Sequence, residues 1–245
     1  LPPAPKKRAQ EQPLISTTPF VPPVRQTDQS NPGITAPFIP DISTSWAGPL
    51  FEALRCQGPS RILVQASWGG RLRLLQDAIR LTLDQRKSIL IIVGEAERAQ
   101  WIRDSICDHE TGISPVCFHS GLSDQVKAEI WDQIHRQIVR VVVGTRSAIF
   151  LPLAAIGVIW VEGEEDAALK EPQEPRYHAR DVAWLRAQDE QAVLVLSSSH
   201  PSLETRAAVG QRGVVVRQSI PLEERPTIQV VELRDHGHSA VLSQP

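Results

Sequence analysis

Val139-Arg140-Val141-Val142-Val143-Gly144-Thr145-Arg146-Ser147-Ala148-Ile149-Phe150-Leu151-Pro152-Leu153-Ala154-Ala155-Ile156-Gly157-Val158-Ile159-Trp160-Val161 is the stretch that decides the fold. It holds two short, nearly continuous apolar runs, 139–143 and 156–161, rich in Val and Ile. Neither alternates apolar with polar residues. A strand with one face in water alternates with period two; a strand covered on both faces does not. The polar hinge Gly144-Thr145-Arg146-Ser147 follows the first run directly, where a parallel sheet places its ligand-facing residues.

The same grammar extends outward. Further strands are expected at 61–66 (RILVQA), 88–93 (SILIIV), 115–119 (PVCFH), 192–197 (AVLVLS) and 213–217 (GVVVR), and helices at 70–83, 95–108, 122–137, 176–189 and 202–210. In the helix at 122–137, Val126, Ile130, Ile134 and Ile138 recur at helical spacing with charged residues between them. Strands alternating with helices predict an α/β fold, a mostly parallel sheet with helices on both faces. Residues 1–42 differ in kind. They carry ten of the 20 prolines and no apolar periodicity, which predicts a disordered Pro-rich linker ahead of a lobe at 43–235. Residues 236–245 are a tail or the start of a next segment. The chain begins with Leu1 and contains no Met, and it reads as a piece of a longer protein.

Charge and cysteine content narrow the function classes. The formal net charge of -2 gives no broad attraction to nucleic acid, so any DNA contact must come from local basic groups. The Lys6-Lys7-Arg8 run either touches phosphate or is simply solvated. Cys56, Cys107 and Cys117 are scattered with no CxxC, so neither a zinc site nor a disulfide framework is supported. Buried free thiols in a reducing cytoplasm fit that usage. No apolar run approaches the ~20 residues of a membrane span, and no membrane role is expected.

Two loops after strands have the right place for nucleotide chemistry. Gln65-Ala66-Ser67-Trp68-Gly69-Gly70-Arg71-Leu72 follows the first strand, where a phosphate-cradling loop sits in nucleotide-hydrolysing sheets. Such a loop needs glycines for close backbone approach, a Lys for the outer phosphates and a hydroxyl for magnesium. Only Gly69 and Gly70 answer that description. Glu162-Gly163-Glu164-Glu165-Asp166 follows the fifth strand, and carboxylates there either serve a metal and water or form a solvated acidic loop.

The hinge in the opening stretch resembles the GTRSA-[LIV]-F-x-P segment of the PriA family of superfamily-two DNA helicases. Three further segments agree in order and spacing: His119-Ser120-Gly121-Leu122-Ser123-Asp124 with HSGLSD, Pro175-Arg176-Tyr177-His178-Ala179-Arg180-Asp181-Val182-Ala183 with PRYHARDVA, and Pro201-Ser202-Leu203-Glu204 with the end of SATPSLE. The resemblance covers roughly 60–235 and implies a RecA-like first helicase lobe. It also gives the departures a meaning. The family's GxTGSGKT falls without gaps on Gln65 to Leu72, so its Lys is Arg71 and its Thr is Leu72. Its DEEH falls on Glu162 to Glu165, with Gly163 in place of the catalytic Glu and Glu165 in place of the His. Its SATPS falls on Ser198 to Ser202 with His200 for Thr, and its PEIALTPQ is Gly94 to Trp101.

The resemblance therefore implies a degenerate lobe. Gly69, Gly70, Arg71, Glu162 and Glu164 form a vestigial nucleotide position with no catalytic residue left. No cofactor is expected in this chain; weak ATP or ADP with magnesium could remain, and zinc belongs to an inter-lobe region that this sequence lacks. Trp68 is expected to fill vacated space. The family's DNA-facing segments map onto Thr145, Arg146, Ser147, Arg176, Tyr177 and Arg180. Each has an internal alternative: Arg146 pairing with an acidic neighbour, Tyr177 packing in the core, Arg180 pairing with Asp or Glu. The implied function is replication restart without helicase activity: recognition of forked or single-stranded DNA at abandoned forks, and recruitment of primosome and replisome-loading proteins. A translocase with an atypical ATP site is the other reading, and an interaction lobe with no DNA role a third.

Overall fold

Apolar β-branched runs become strands when helices cover both of their faces, and the computed structural model shows this arrangement. It describes residues 46–56, 58–107 and 112–218, all within one unit, Phe38–Pro245. The expected linker at 1–42 and the tail at 236–245 lie outside the described residues. The strands are β1 (Ser60–Gln65), β2 (Ser88–Ile92), β3 (Val116–Phe118), β4 (Val141–Gly144), β5 (Ile156–Glu162), β6 (Val193–Ser198) and β7 (Val214–Arg217). They form one sheet in the order β3-β4-β2-β5-β6-β1-β7, with every pair parallel. This is the three-layer architecture of a RecA-like lobe.

Strand periodicity sorts the core in two. Ile62, Val64, Ile89, Ile91, Val143 and Trp160 face α1 (Gly48–Cys56), α2 (Trp68–Asp84) and α3 (Ala96–Ile106). Leu63, Leu90, Ile92, Val142, Ile159 and Leu194 face α4 (Asp124–His135), α5 (Ala179–Asp189) and α6 (Leu203–Arg212). Each fully buried Leu or Ile contributes about 1.5–3 kcal/mol, so the two layers carry the stability of the lobe. On α5 the buried positions are Ala179, Ala183 and Ala187, one every four residues. This small-residue stripe lets the helix lie close against β5 and β6.

Several expectations need correction. Helix α1 was not anticipated; its buried Leu50, Phe51 and Leu54 make too short a signal to stand out beside the proline-rich stretch before it. Helix α4 ends at His135, Gln137 adopts φ 57°, and Ile138 is 67% exposed instead of extending the apolar face. Helix α5 begins at Ala179, because the His178 ring nitrogen accepts from the Arg180 amide and caps it. The thiols are not buried as expected: Cys56 is exposed, and Cys107 and Cys117 are half-buried. Among the described residues no helix is long and apolar enough to cross a membrane.

Candidate functional site

The carboxyl ends of β1, β4, β5 and β6 lie along one edge of the sheet, and the residues that follow them form the candidate site. After β1 there is no phosphate loop. Ser67 caps α2 by accepting from the Gly70 amide at 3.3 Å, and the helix runs through Gly69 and Gly70. Amides that a phosphate loop would present are used within the helix, as with Arg71 N donating to Ser67 O at 3.0 Å. The start of the helix is also covered. The Gln218 side-chain oxygen accepts from Ser67 N at 3.1 Å and from Ser67 Oγ at 2.9 Å. A Cβ placed on Gly70 would lie 2.5 Å from that oxygen, so a larger residue there would displace the Gln218 side chain from Ser67.

Arg71 turns inward. Its Nε and Nη2 both lie 2.9 Å from Glu162 Oε1, and its Nη1 donates to Ala66 O at 2.6 Å. Both residues are buried, at 6% and 2% exposure. Glu162 Oε1 also accepts from Arg98 at 3.2 Å, while Oε2 accepts from Trp160 Nε1 at 3.3 Å and from Ser197 Oγ. Four side chains therefore satisfy one carboxylate. Trp68 stands over this cluster, 4.8 Å from the Trp101 ring, with the Arg98 guanidinium 4.8 Å above its own ring. It packs beside Arg71, whose guanidinium lies 5.5 Å from the Trp68 ring centre, and it is Arg71 rather than Trp68 that reaches Glu162.

These residues do not fit a magnesium nucleotide. Magnesium requires oxygen ligands in near-ideal octahedral geometry, and the Glu162 oxygens are engaged by protein donors. Leu72 offers no lone pair. Among the described residues no group of three or more His, Cys, Asp or Glu side chains is placed to hold a metal. Gly163 bends the chain after β5 with φ 65°, a left-handed conformation that disfavours any side chain there.

One residue further on, the edge is fully built. Glu164 is completely buried, and it accepts from Ser202 N at 2.6 Å, Ser202 Oγ at 2.9 Å, Arg180 Nη1 at 2.8 Å and Thr205 Oγ1. This knot ties the turn after β5 to the start of α6 and the first turn of α5. Burial pushes the Glu164 carboxyl upward, but the bonds from Thr205, Arg180 and Ser202 outweigh it and hold it below its ordinary value. A depressed carboxylate stabilises the fold above its unfolded pKa, and that contribution is lost as pH falls through the folded value. The midpoint of thermal unfolding is therefore expected to fall as pH drops below the ordinary glutamate range. Glu164→Gln should be less stable at neutral pH and show a flatter profile over the same window. Parallel profiles for the two proteins would remove this role.

The hinge after β4 forms a short 3-10 turn, Arg146–Phe150. Thr145 N donates to Phe118 O at 3.1 Å, and the Ser147 hydroxyl is buried with no partner. Arg146 adopts the internal alternative: Nε meets Glu171 Oε2 at 2.9 Å and Nη1 meets Ala168 O at 3.0 Å, with about a third of the side chain still exposed. Glu171 N in turn donates to Tyr177 O at 2.8 Å. The Tyr177 ring packs edge-on to Phe150 at 5.2 Å, and Phe150 is 56% exposed. Arg176 is largely exposed, 3.6 Å from the still more exposed Glu174. The structure thus links Arg146, Tyr177 and Phe150, with Arg176 in the adjoining backbone position. Arg180 is held apart in the Glu164 knot. Phe150, Arg98, Ser197 and Gln218 were missed. Phe150 stands inside the GTRSA-type segment and was legible there; the other three had no local signal.

No family model matches the chain. The replication restart protein PriA of Synechocystis is 32% identical over 225 residues, which cover 87% of this chain and 27% of that protein. The PriA protein of Bacillus subtilis is 32% identical over 170 residues, 68% of this chain and 21% of that protein. The chain thus spans about a quarter of the length of the curated relatives it matches. Among solved structures, Mss116p DEAD-box helicase domain 2 bound to an RNA duplex superimposes with a TM-score of 0.49 at 8% identity. That match covers 67% of this chain and 66% of that one. With four motif-like segments in order along an all-parallel seven-stranded sheet, and with these PriA matches over most of its length, the chain is a PriA-like helicase lobe.

Proposed function

We propose that this lobe is the DNA-directed part of a replication-restart protein that no longer hydrolyses ATP. It recognises abandoned forks and supports recruitment of primosome and replisome-loading proteins in the cytoplasm. The observation that carries this reading is the closed Arg71–Glu162 pair, formed while the edge beside it stays organised. The nucleotide position is filled by the protein's own side chains. The Glu164 knot and the Arg146–Glu171–Tyr177 chain next to it remain intact. Arg176, Tyr177 and Phe150 supply the mixture of cation and aromatic ring on which single-stranded bases stack. Arg146, about a third of whose side chain stays exposed, and Thr145 supply a cation and a hydroxyl to a phosphate, while the Ser147 hydroxyl is buried behind them.

The test is fluorescence anisotropy with forked and single-stranded oligonucleotides at several salt concentrations. Affinity is expected to be modest and to fall with salt, because the net charge of -2 leaves only local attraction. Arg146→Ala and Arg176→Ala should each weaken binding and lower the salt slope by about one, as expected for loss of one phosphate contact. Unchanged binding in both variants, each still folded, would reject this DNA-facing edge.

A further inference from the structure

The α4–α5–α6 face carries a cleft that the nucleotide position and the DNA-facing edge do not use. Helix α5 packs on β5 and β6, while α6 packs on β1 and β7, so the two helices leave a gap between them. The gap is a cavity of about 320 Å³ with Leu194 and Leu196 of β6 as its floor. Trp184 and Leu185 of α5 wall it on one side and Ala208 of α6 on the other, and Leu185 is 62% exposed. Ligand sites share this make-up, a largely apolar lining of roughly 300–1,000 Å³ with a few placed polar groups. Strand periodicity puts Arg61 on the same face of β1 as Leu63, and its guanidinium lies 4.0 Å from the centre of the Trp184 ring.

The exposed charges of the cleft are acidic. The Asp181 side chain on α5 is 74% exposed, and its contact with Arg180 Nε is loose, at 3.7 Å. Glu204 stands exposed in the first turn of α6, on the facing wall. The guanidiniums that line the cleft are engaged inward. Arg180 donates to Glu164, Ser202 and Thr205, and Arg61 rests on Trp184 with its Nε buried. Arg206 of α6 reaches instead to Gln65. Arg61 and Arg180 set against Glu164, Asp181 and Glu204 leave one negative charge, and it is the two outer carboxylates that meet an arriving group. We infer that the α5–α6 cleft receives a basic amphipathic helix of a partner polypeptide, with an apolar side chain seated over Leu194 and Leu196 and a cationic one held between Asp181 and Glu204. A groove between two helices suits a helix laid along it with its apolar side down. A lysine or arginine at the rim lays its aliphatic stem along Leu185 and keeps its charge at the carboxylates. A phosphodiester chain or an acidic segment would meet the same two carboxylates and is repelled. The inference does not depend on the DNA-facing edge.

The experiment is methyl NMR of the 245-residue chain labelled at Leu and Ala. The probe is a capped peptide of three Leu-Lys-Lys-Leu repeats, whose leucines recur at helical spacing, beside versions with Gln or Glu in place of every Lys. The lysine peptide is expected to shift the Leu185 and Ala208 methyls saturably, the glutamine peptide to bind more weakly, and the glutamate peptide most weakly. Asp181→Asn together with Glu204→Gln should weaken the lysine peptide about fivefold, the scale of two exposed ion pairs, and leave the glutamine peptide unchanged. Both side chains are exposed, so this variant keeps its fold. Glu129→Gln, which removes a charge from α4 instead, should change neither peptide. Ala208→Trp, at an exposed position of α6, should block both. Equal binding of the lysine and glutamine peptides, no saturable shift with the lysine peptide, or indifference to the cleft substitutions overturns the inference. So does the glutamate peptide or oligothymidylate moving the same methyls as tightly as the lysine peptide.

Discussion

Arg71→Ala is expected to destabilise the lobe by about 3–5 kcal/mol, the usual cost of breaking a buried ion pair from one side. In a domain of this size that is a fall in Tm on the order of 10 °C. The substitution leaves Glu162 buried with its strongest partners on Oε1 gone and Ala66 O without its donor. Arg98 cannot compensate fully, since its side chain is 39% exposed and its charge is partly spent on water. Arg71→Lys restores a charge but not a fork, and it should recover only part of the loss. The decisive comparison is a double variant, Arg71→Met with Glu162→Leu. Removing both charges removes the desolvation cost with the attraction, so this protein should be more stable than Arg71→Ala in urea denaturation, yet below wild type, because the buried Trp160 Nε1 loses its acceptor and Ala66 O its donor. A loss below about 1 kcal/mol for Arg71→Ala would show that the pair is incidental to the fold.

The full-length protein is expected to release no phosphate from ATP above background, with or without DNA and with a second lobe supplied. Loss of a positioned base alone costs about 10²–10⁴-fold, and loss of the lysine and the metal-anchoring hydroxyl removes the electrostatic support on which phosphoryl transfer chiefly depends. Reverting the three positions together, Arg71→Lys, Leu72→Thr and Gly163→Glu, is expected to restore nothing. A glutamate at 163 would have to adopt φ 65°, which costs a side-chain-bearing residue about 1–2 kcal/mol, or else pull the turn away from Ser197 O, where Gly163 N bonds at 2.8 Å. Gln218 would still cover the helix start and Glu162 would still be engaged by Ser197, Trp160 and Arg98. A DNA-stimulated phosphate-release assay decides the matter. Robust turnover in the native sequence, abolished by Glu162→Ala, would make the protein a translocase with a rebuilt site.

How legible all this was in the sequence depended on the range of each interaction. The seven strands were readable because Val and Ile runs without alternation have one stable environment, and all seven fall within a few residues of their expected positions. The altered nucleotide position was readable as a set of departures at Arg71, Leu72 and Gly163. What replaced it was not. Arg71 and Glu162 are 91 residues apart, and nothing local to either announces that they meet. Gln218 is a still plainer case, a polar residue past the last strand whose role exists only because β7 returns beside β1. Local ambiguity explains the rest. Arg146 could have faced phosphate or a carboxylate, and only the position of Glu171 shows the bond it makes in the folded chain. Ile138 kept the helical spacing but not the helix, because Gln137 breaks the backbone one residue earlier.

The strand order also dictates when the lobe can be finished during synthesis. Among the described strands β1 is the first to be made, yet its neighbours in the sheet are β6 and β7, the last two of them. The bond from Ser67 to Gln218 closes a span of 151 residues. A ribosome adding roughly 5–20 residues per second takes on the order of ten seconds to cross that interval. Throughout it, Ile62, Leu63 and Val64 have an exposed edge on each side. β2, β4 and β5 can pair among themselves far earlier, so the newborn chain assembles its sheet from the middle outward. Its amino-terminal strand must then be threaded in at the end. A pause in translation anywhere between residues 70 and 190 would prolong that exposure, and the apolar edge of β1 is where a chaperone would have most to protect.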